Sequence, residues 1–194
     1  MDEKGIKSYK ELEIFYREKQ KSIWREITTT KKAIYWANEE IDLPVQSDDV
    51  IQWWGVSKNV DALKGRKNEI ILSNYDLLYL DVGVGNRYGS DYGTYITWRK
   101  MYSFSPHVDT VNVIGAETCM WSELNNKHTH DQKIWIRTSI LAERLWNSKI
   151  SLDQQLVNIV KRLVAQKNRL KSRGFKPSFV SVELCERSPA VCFS

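Results

Sequence analysis

At residues 114–123 the chain reads Ile-Gly-Ala-Glu-Thr-Cys-Met-Trp-Ser-Glu. A short apolar run over residues 111–115 leads into this stretch and predicts a buried strand. Beyond the strand, Trp121 and Glu123 stand two residues apart, a spacing that can place an indole and a carboxylate in one pocket. The indole offers an apolar wall and the carboxylate accepts hydrogen bonds from hydroxyl groups. Sugars present both surfaces, although a lone Trp-x-Glu pair is more often structural.

Three earlier apolar runs also predict strands and carry aromatic rings or carboxylates at their ends. They are residues 32–36, which end in Trp36; residues 50–54, which end in Trp53 and Trp54; and residues 69–73, which lead into Tyr79 and Asp81. Enzymes with a (β/α) barrel keep their sites at the carboxyl ends of the strands. The sequence therefore predicts an α/β fold with four strands on one side of a barrel mouth.

Helical patterns alternate with these strands. A capping box begins at Ser8, and apolar residues then recur at helical spacing through residue 27, which predicts an amphipathic helix. Shorter or later patterns predict helices over residues 59–67, over 131–146 and from a second capping box at Ser151 onward. Residues 81–106 form the longest irregular segment, rich in glycine and aromatic residues, and are a candidate binding loop.

Composition narrows the classes further. A chain of 194 residues suits one or two domains, whereas a complete TIM barrel typically needs about 250 residues. The net charge of +5 is too mild to indicate a nucleic-acid partner, and the basic residues between 161 and 176 are typical of a solvated helix face. Because the sequence contains no run of about 18 apolar residues, it predicts no membrane span.

Three strings together carry a family resemblance. They are Leu72-Ser73-Asn74-Tyr75-Asp76-x-x-Tyr79-Leu80-Asp81, Gly115-Ala116-Glu117-x-Cys119-x-Trp121-Ser122-Glu123 and Ala142-Glu143-Arg144-Leu145-Trp146. In order, spacing and identity they resemble glycoside hydrolase family 20, the β-N-acetylhexosaminidases. The resemblance covers roughly residues 5–150 and implies the second half of a (β/α)8 TIM barrel, strands 5–8 with their helices. Residues 1–172 are then the C-terminal half of the catalytic barrel, and residues 173–194 an irregular tail.

The resemblance also implies a reaction. Family members remove terminal β-linked N-acetylglucosamine or N-acetylgalactosamine from glycans or chitooligosaccharides by a substrate-assisted retaining mechanism. The acetamido oxygen of the sugar attacks the anomeric carbon, while an Asp-Glu pair in a His-x-Gly-Gly-Asp-Glu string orients the acetamide and protonates the leaving group. That string does not occur in this sequence and is expected upstream of residue 1. We therefore expect a fragment that is inactive alone or, alternatively, a non-catalytic sugar-binding or assembly half-barrel completed by another chain.

Six residues match the family's sugar-binding positions. Tyr79 resembles the tyrosine that holds the acetamido oxygen, and Asp81 and Glu123 resemble the carboxylates that bind the outer hydroxyls. The walls of the N-acetyl pocket are implied to be Trp36, Trp54 and Trp121. Trp54 is preferred to Trp53 by its match to the family pattern, since neighbouring strand residues face opposite sides.

The remaining expectations concern cysteines, metals and location. Cys185 and Cys192 lie close together in the predicted tail, and the family often ends in a similar disulfide pair. His128 and His130 lack a well-spaced third ligand, so no metal or cofactor is predicted. Family members are lysosomal or secreted, whereas the first residues of this chain carry no apolar signal region. A homo-oligomer or a separate N-terminal half are the partners expected besides the sugar.

Overall fold

The fold is built on a four-stranded parallel sheet. The computed structural model describes residues 5–39, 45–83, 86–87, 90–91, 93–147 and 152–180. The sheet strands are β1 (Ile34–Ala37), β2 (Val50–Trp53), β3 (Glu69–Leu72) and β6 (Val113–Ala116), hydrogen-bonded in that order. All three pairings are parallel. The four predicted strands and the α/β class are confirmed, with strand bounds shifted by one or two residues.

Helices surround and connect the strands. In chain order they are α1 (Tyr9–Ile27), a 3₁₀ helix (Ser57–Leu63), α2 (Tyr75–Leu78), α3 (Trp98–Tyr102), α4 (His130–Trp146) and α5 (Leu152–Ser172). The segment predicted as a helix over residues 59–67 is thus a 3₁₀ helix that begins and ends earlier. None of the helices in the described part of the chain is long and apolar enough to cross a bilayer.

One face of the sheet packs on the helices and forms the core. Trp53 of β2 and Leu72 of β3 are paired in the sheet register and are both buried on this face. Ile136 and Ile140 of α4 and Leu163 of α5 belong to the same buried cluster. Because strand side chains alternate between faces, Trp36, Gln52 and Ile71 point to the opposite face, where side chains are only partly buried.

Helix α1 forms where the capping box predicts it. The Ser8 hydroxyl accepts a hydrogen bond from the Glu11 backbone N–H at 3.2 Å. Its apolar side chains are nevertheless uncovered, since Ile23 and Ile27 are 57% and 73% exposed. Polar contacts attach the helix instead, chiefly a buried ion pair from Lys21 to Asp49 at 2.5 Å. The helix is therefore amphipathic, but its apolar face does not meet the core within the described residues.

Two sequence interpretations are wrong. The segment over residues 81–106, predicted to be irregular, contains a short antiparallel pair, β4 (Asn86–Arg87) with β5 (Ser90–Asp91), and helix α3. The Thr97 hydroxyl caps α3 by accepting from the Lys100 N–H at 3.2 Å. The place of Trp146 in the predicted helix over residues 131–146 favours a core position, but this residue is 92% exposed. Ser151, Cys185 and Cys192 lie outside the described residues.

Candidate active site

Aromatic rings from all four strand ends meet at the carboxyl edge of the sheet. Trp36 and Trp54 stack with ring centroids 6.2 Å apart and planes 10° from parallel. Trp121 meets Trp36 edge-on, with a centroid distance of 5.8 Å and an interplanar angle of 77°. The ring centroid of Tyr79 lies 5.9 Å from that of Trp121. The structure thus brings together four of the six predicted site residues as one aromatic cluster.

The sheet register explains why Trp54 and not Trp53 belongs to this cluster. Trp53 is fully buried on the helix side, so its neighbour Trp54 turns to the other face. Backbone hydrogen bonds continue just past the strand ends, from Trp54 N–H to Ala37 C=O at 2.9 Å and from Ser73 N–H to Trp53 C=O at 2.8 Å. These bonds fix where the Trp54 ring leaves the sheet.

A second set of ladder bonds positions Tyr79 beside Trp121. Tyr79 forms an isolated parallel bridge with Cys119. The Leu80 N–H donates to Cys119 C=O at 2.8 Å, and the Cys119 N–H donates to Leu78 C=O at 3.0 Å. Through these bonds the pairing of β3 with β6 resumes after the turn of α2. Tyr79 and Trp121 consequently lie on neighbouring extended segments.

The two predicted carboxylates lie outside the ring contacts. Asp81 is completely buried, two residues beyond Tyr79. Glu123 is exposed, two residues beyond Trp121. Trp36 and Trp121 are themselves partly open to solvent. The arrangement therefore has a buried carboxyl group, an exposed carboxyl group and two partly exposed indoles.

Two basic side chains of α4, those of Lys133 and Arg137, lie near the buried Asp81. Burial lowers the pKa of Lys133, and the negative charge of Asp81 acts in the opposite direction. Burial also lowers the pKa of Arg137, and Tyr95 and Asp81 oppose that shift. Both side chains therefore lie close enough to Asp81 to interact with it electrostatically.

Cys119 lies in the middle of the site but is not a nucleophile. Burial, followed by the charges of Glu117 and Asp81, raises the pKa of its thiol to about 12. The reactive form of cysteine is the thiolate, which is scarce at neutral pH when the pKa is so high. Cys119 thus acts as a small apolar side chain.

One carboxylate that the sequence does not single out, that of Glu117, lies on the face of the sheet opposite the helices. Glu117 accepts hydrogen bonds from the Ser73 hydroxyl at 2.7 Å and from the Gln52 side-chain amide. Its backbone N–H donates to Leu72 C=O at 3.0 Å. Strand alternation is the signal for Glu117 in the sequence. Glu117 comes directly after β6, and its side chain lies on the side of the sheet to which Gln52 also points.

The aromatic residues of the predicted binding loop serve other contacts. The Trp98 indole donates to Val180 C=O at 2.7 Å, and its ring packs against the helix-side core. Tyr95 lies under the guanidinium of Arg137 at 4.8 Å. Neither has a ring contact with the aromatic cluster among the described residues. Across those same residues, no group of three or more His, Cys, Asp and Glu side chains is arranged to hold a metal ion.

The fold and the position of the candidate site define the structural class of this protein. Four parallel strands joined by helices, with a candidate site at their carboxyl ends, make this an α/β protein of the kind that binds ligands at that edge. The catalytic-domain profile of glycosyl hydrolase family 20 matches residues 1–149. The chain belongs to glycosyl hydrolase family 20.

Curated relatives agree with this assignment. The chitooligosaccharidolytic β-N-acetylglucosaminidase of Ostrinia furnacalis is 33% identical over 80% of this chain and 27% of its own length. The α subunit of β-hexosaminidase from Rattus norvegicus is 28% identical over 96% of this chain and 35% of its own. The chain therefore spans about a quarter to a third of the relatives that it matches.

Solved structures share the fold. The exo-β-N-acetylglucosaminidase of Vibrio harveyi, solved in complex with N-acetylglucosamine, superimposes with a TM-score of 0.72 at 21% identity. The match covers 93% of this chain and 29% of that one. A Streptomyces coelicolor β-N-acetylhexosaminidase of the same family gives a TM-score of 0.59 over 77% of this chain and 33% of its own.

Proposed function

We propose that this chain is the second half, strands 5–8, of the (β/α)8 barrel of a β-N-acetylhexosaminidase and that it binds the N-acetyl group of the terminal sugar. The observation that carries the proposal is the aromatic cluster of Trp36, Trp54, Trp121 and Tyr79. Its rings arise from four separate strand ends, and those of Trp36 and Trp121 are partly open to solvent. Stacked and edge-on indoles offer apolar walls that suit an acetamido methyl group.

The proposed substrate is a terminal β-linked N-acetylglucosamine or N-acetylgalactosamine. In the substrate-assisted mechanism of the family, the acetamido oxygen is the nucleophile, so the protein must hold it near the anomeric carbon. We assign that task to the Tyr79 hydroxyl, with the tryptophans excluding water around the acetamide. Asp81 and Glu123 accept hydrogen bonds from sugar hydroxyls. Holding a nucleophile in place supplies a large part of a rate enhancement.

The chain by itself is proposed to be inactive. Its sequence contains no His-x-Gly-Gly-Asp-Glu string to supply the general acid and its aspartate partner. Loss of a general acid typically lowers the rate by about 10²–10⁴-fold. Residues 1–172 as the half-barrel, and residues 173–194 as a tail closed by a Cys185–Cys192 disulfide, belong to the same proposal.

A second candidate function is a sugar-binding or assembly half-barrel that another chain completes. It is favoured by the uncovered apolar side of α1, where Ile23, Ile27 and Trp24 are exposed. A groove of about 580 Å³ beside these residues runs along β1, the strand at one edge of the sheet, and reaches Trp36. An open strand edge next to apolar surface is a site for pairing with a further strand.

The test is sugar binding by the full chain, followed by intrinsic tryptophan fluorescence. N-acetylglucosamine is titrated into the wild-type chain, the Trp121→Ala variant and the Trp146→Ala control, since Trp146 is an exposed indole far from the cluster in sequence. We expect binding to be lost in Trp121→Ala and retained in Trp146→Ala, with glucose much weaker than N-acetylglucosamine. Equal binding by both variants, or equal binding of glucose, contradicts the proposed pocket.

Hydrolysis tests the proposed inactivity of the chain alone. The chain is incubated with a chromogenic phenyl β-N-acetylglucosaminide, and the released phenol is measured. Binding without turnover supports the half-barrel that lacks its acid. Turnover abolished by Trp121→Ala shows instead that a carboxylate within residues 1–194 is the acid, and the proposed inactivity is then wrong.

A further inference from the structure

Helix α4 contacts the segments that carry the candidate site residues. The Lys133 ammonium donates to Leu124 C=O, next to Glu123. The Thr138 hydroxyl lies 3.0 Å from the Thr118 hydroxyl, on the segment that leads to Trp121. Arg137 reaches the Tyr79–Asp81 segment. Helix α4 therefore contacts both the segment that follows β3 and the segment that follows β6.

Arg137 makes the most extensive of these contacts. Its side chain is buried, with 3% of the residue exposed. The guanidinium donates to Leu80 C=O, to Ile96 C=O at 3.2 Å and, through Nε, to Lys133 C=O at 3.0 Å. Removing a guanidinium from water is costly, and these three carbonyls with the nearby Asp81 charge offset that cost. The planar fork of arginine matches several fixed acceptors, which an ammonium cannot do in the same way.

The Leu80 peptide is consequently held on both sides. Its N–H donates to Cys119 C=O at 2.8 Å, and the carbonyl of Leu80 accepts from Arg137. Tyr79 immediately precedes this residue and Asp81 immediately follows it. A rotation of the backbone at Leu80 would displace both side chains at once. The position of two proposed sugar-binding groups therefore depends on a residue that lies beneath the site.

We propose that Arg137 is a positioning residue, which fixes the backbone between Tyr79 and Asp81 and thereby the geometry in which they meet an acetamido sugar. This inference rests on the proposed function for its ligand, but the positioning itself does not require a ligand. Through Ile96 and the Tyr95 ring, the same guanidinium also fixes the start of the segment before α3. The proposed role goes beyond packing because it acts on named side chains of the site.

The test uses a matched arginine on the same helix. Arg144 is also buried, with 7% exposed, and its Nε donates to a backbone carbonyl, that of Phe104 at 3.1 Å. Phe104 lies after α3, away from the Tyr79–Asp81 segment in the chain. Arg137→Lys and Arg144→Lys therefore remove comparable guanidinium groups, and the hydrogen bond to the Tyr79–Asp81 segment described above is that of Arg137. Arg137→Ala is prepared for rescue with guanidinium ion.

Hydrogen exchange of the amides in residues 78–82 is measured first, in the absence of ligand. A hydrogen bond to a charged donor is strong enough that we expect at least about tenfold faster exchange in Arg137→Lys and no change in Arg144→Lys. Unchanged exchange in Arg137→Lys, or equal acceleration in both variants, overturns the proposal. This arm remains decisive if the wild-type chain binds no sugar, a result that refutes the proposed function alone.

N-acetylglucosamine affinity is the second measurement. We expect at least about tenfold weaker binding in Arg137→Lys than in Arg144→Lys. Low millimolar guanidinium, but not urea, is expected to restore affinity to Arg137→Ala, because only the cation replaces the missing donor. Equal affinity in the two lysine variants, or restoration by urea as well, shows a general effect on stability and overturns the positioning role. If Arg137→Ala does not fold, the lysine pair decides.

Discussion

Two adjacent tryptophans should have opposite effects when they are replaced. Trp53 is fully buried in the core, whereas Trp54 stacks on Trp36 in the aromatic cluster. Trp53→Ala leaves a large cavity and should lower the free energy of unfolding by about 3–5 kcal/mol. Trp54→Ala removes one aromatic pair, worth about 0.5–1.5 kcal/mol, and a side chain that is only partly buried. Its main effect should be on sugar binding.

The indole nitrogen of Trp53 sharpens this prediction. It is buried and makes no hydrogen bond in the described part of the structure. A buried donor without an acceptor costs about 1–3 kcal/mol, so its removal offsets part of the lost volume. Trp53→Phe should therefore cost much less than Trp53→Ala, at most about 2 kcal/mol.

Urea unfolding and N-acetylglucosamine titration are measured on the same samples. The expected pattern is a large loss of stability for Trp53→Ala and a smaller loss with retained binding for Trp53→Phe. Trp54→Ala should instead lose sugar binding with only a small loss of stability. A Trp54→Ala variant that unfolds as easily as Trp53→Ala refutes the assignment of the two residues to opposite faces. Intact sugar binding in Trp54→Ala refutes its place in the pocket.

Three further predictions follow from local geometry. Gly83 has φ +73°, and a Cβ there would lie 1.8 Å from Tyr95 N, so Gly83→Ala should lower the thermal midpoint by several degrees and weaken sugar binding. Burial by itself would raise the pKa of the Glu143 carboxyl, but hydrogen bonds, led by that from Arg162, lower it by a larger amount. The net pKa of Glu143 is therefore below 4.5. Its stabilising contribution should be complete above that value and lost as pH falls through the folded pKa, and Glu143→Gln should flatten the acid limb of a stability–pH curve. With a thiol pKa raised to about 12, Cys119 should resist alkylation by iodoacetamide at pH 8 in the folded chain and react after unfolding, as peptide mass mapping can show.

The sequence predicted the strands and most helices because their patterns are local. The apolar run of β2 and the capping box at Ser8 depend on neighbouring residues, and both elements formed as expected. The tryptophans of the aromatic cluster were found through the family resemblance. Their contacts follow from the register of parallel strands, which brings strand ends to one edge.

What the sequence missed depends on contacts between distant elements. The sequence does not single out Glu117, since only the paired strands show that Ser73 and Gln52 reach it. It does not single out Arg137 either, because an arginine in an amphipathic helix pattern usually faces solvent. A helical position favours the core for Trp146, whereas this residue is the last of α4 and is exposed.

The strand order also sets an expected sequence of folding events. Within the four-stranded sheet, each strand pairs with the next strand of that sheet along the chain, and β1 joins β2 across a shorter connection. The connection from β3 to β6 is much longer, running from Leu72 to Val113. Closing a longer loop costs more conformational entropy and slows the pairing that depends on it. Because Tyr79 and Trp121 meet across that pairing, the candidate pocket should be the last part of the sheet to become structured during refolding.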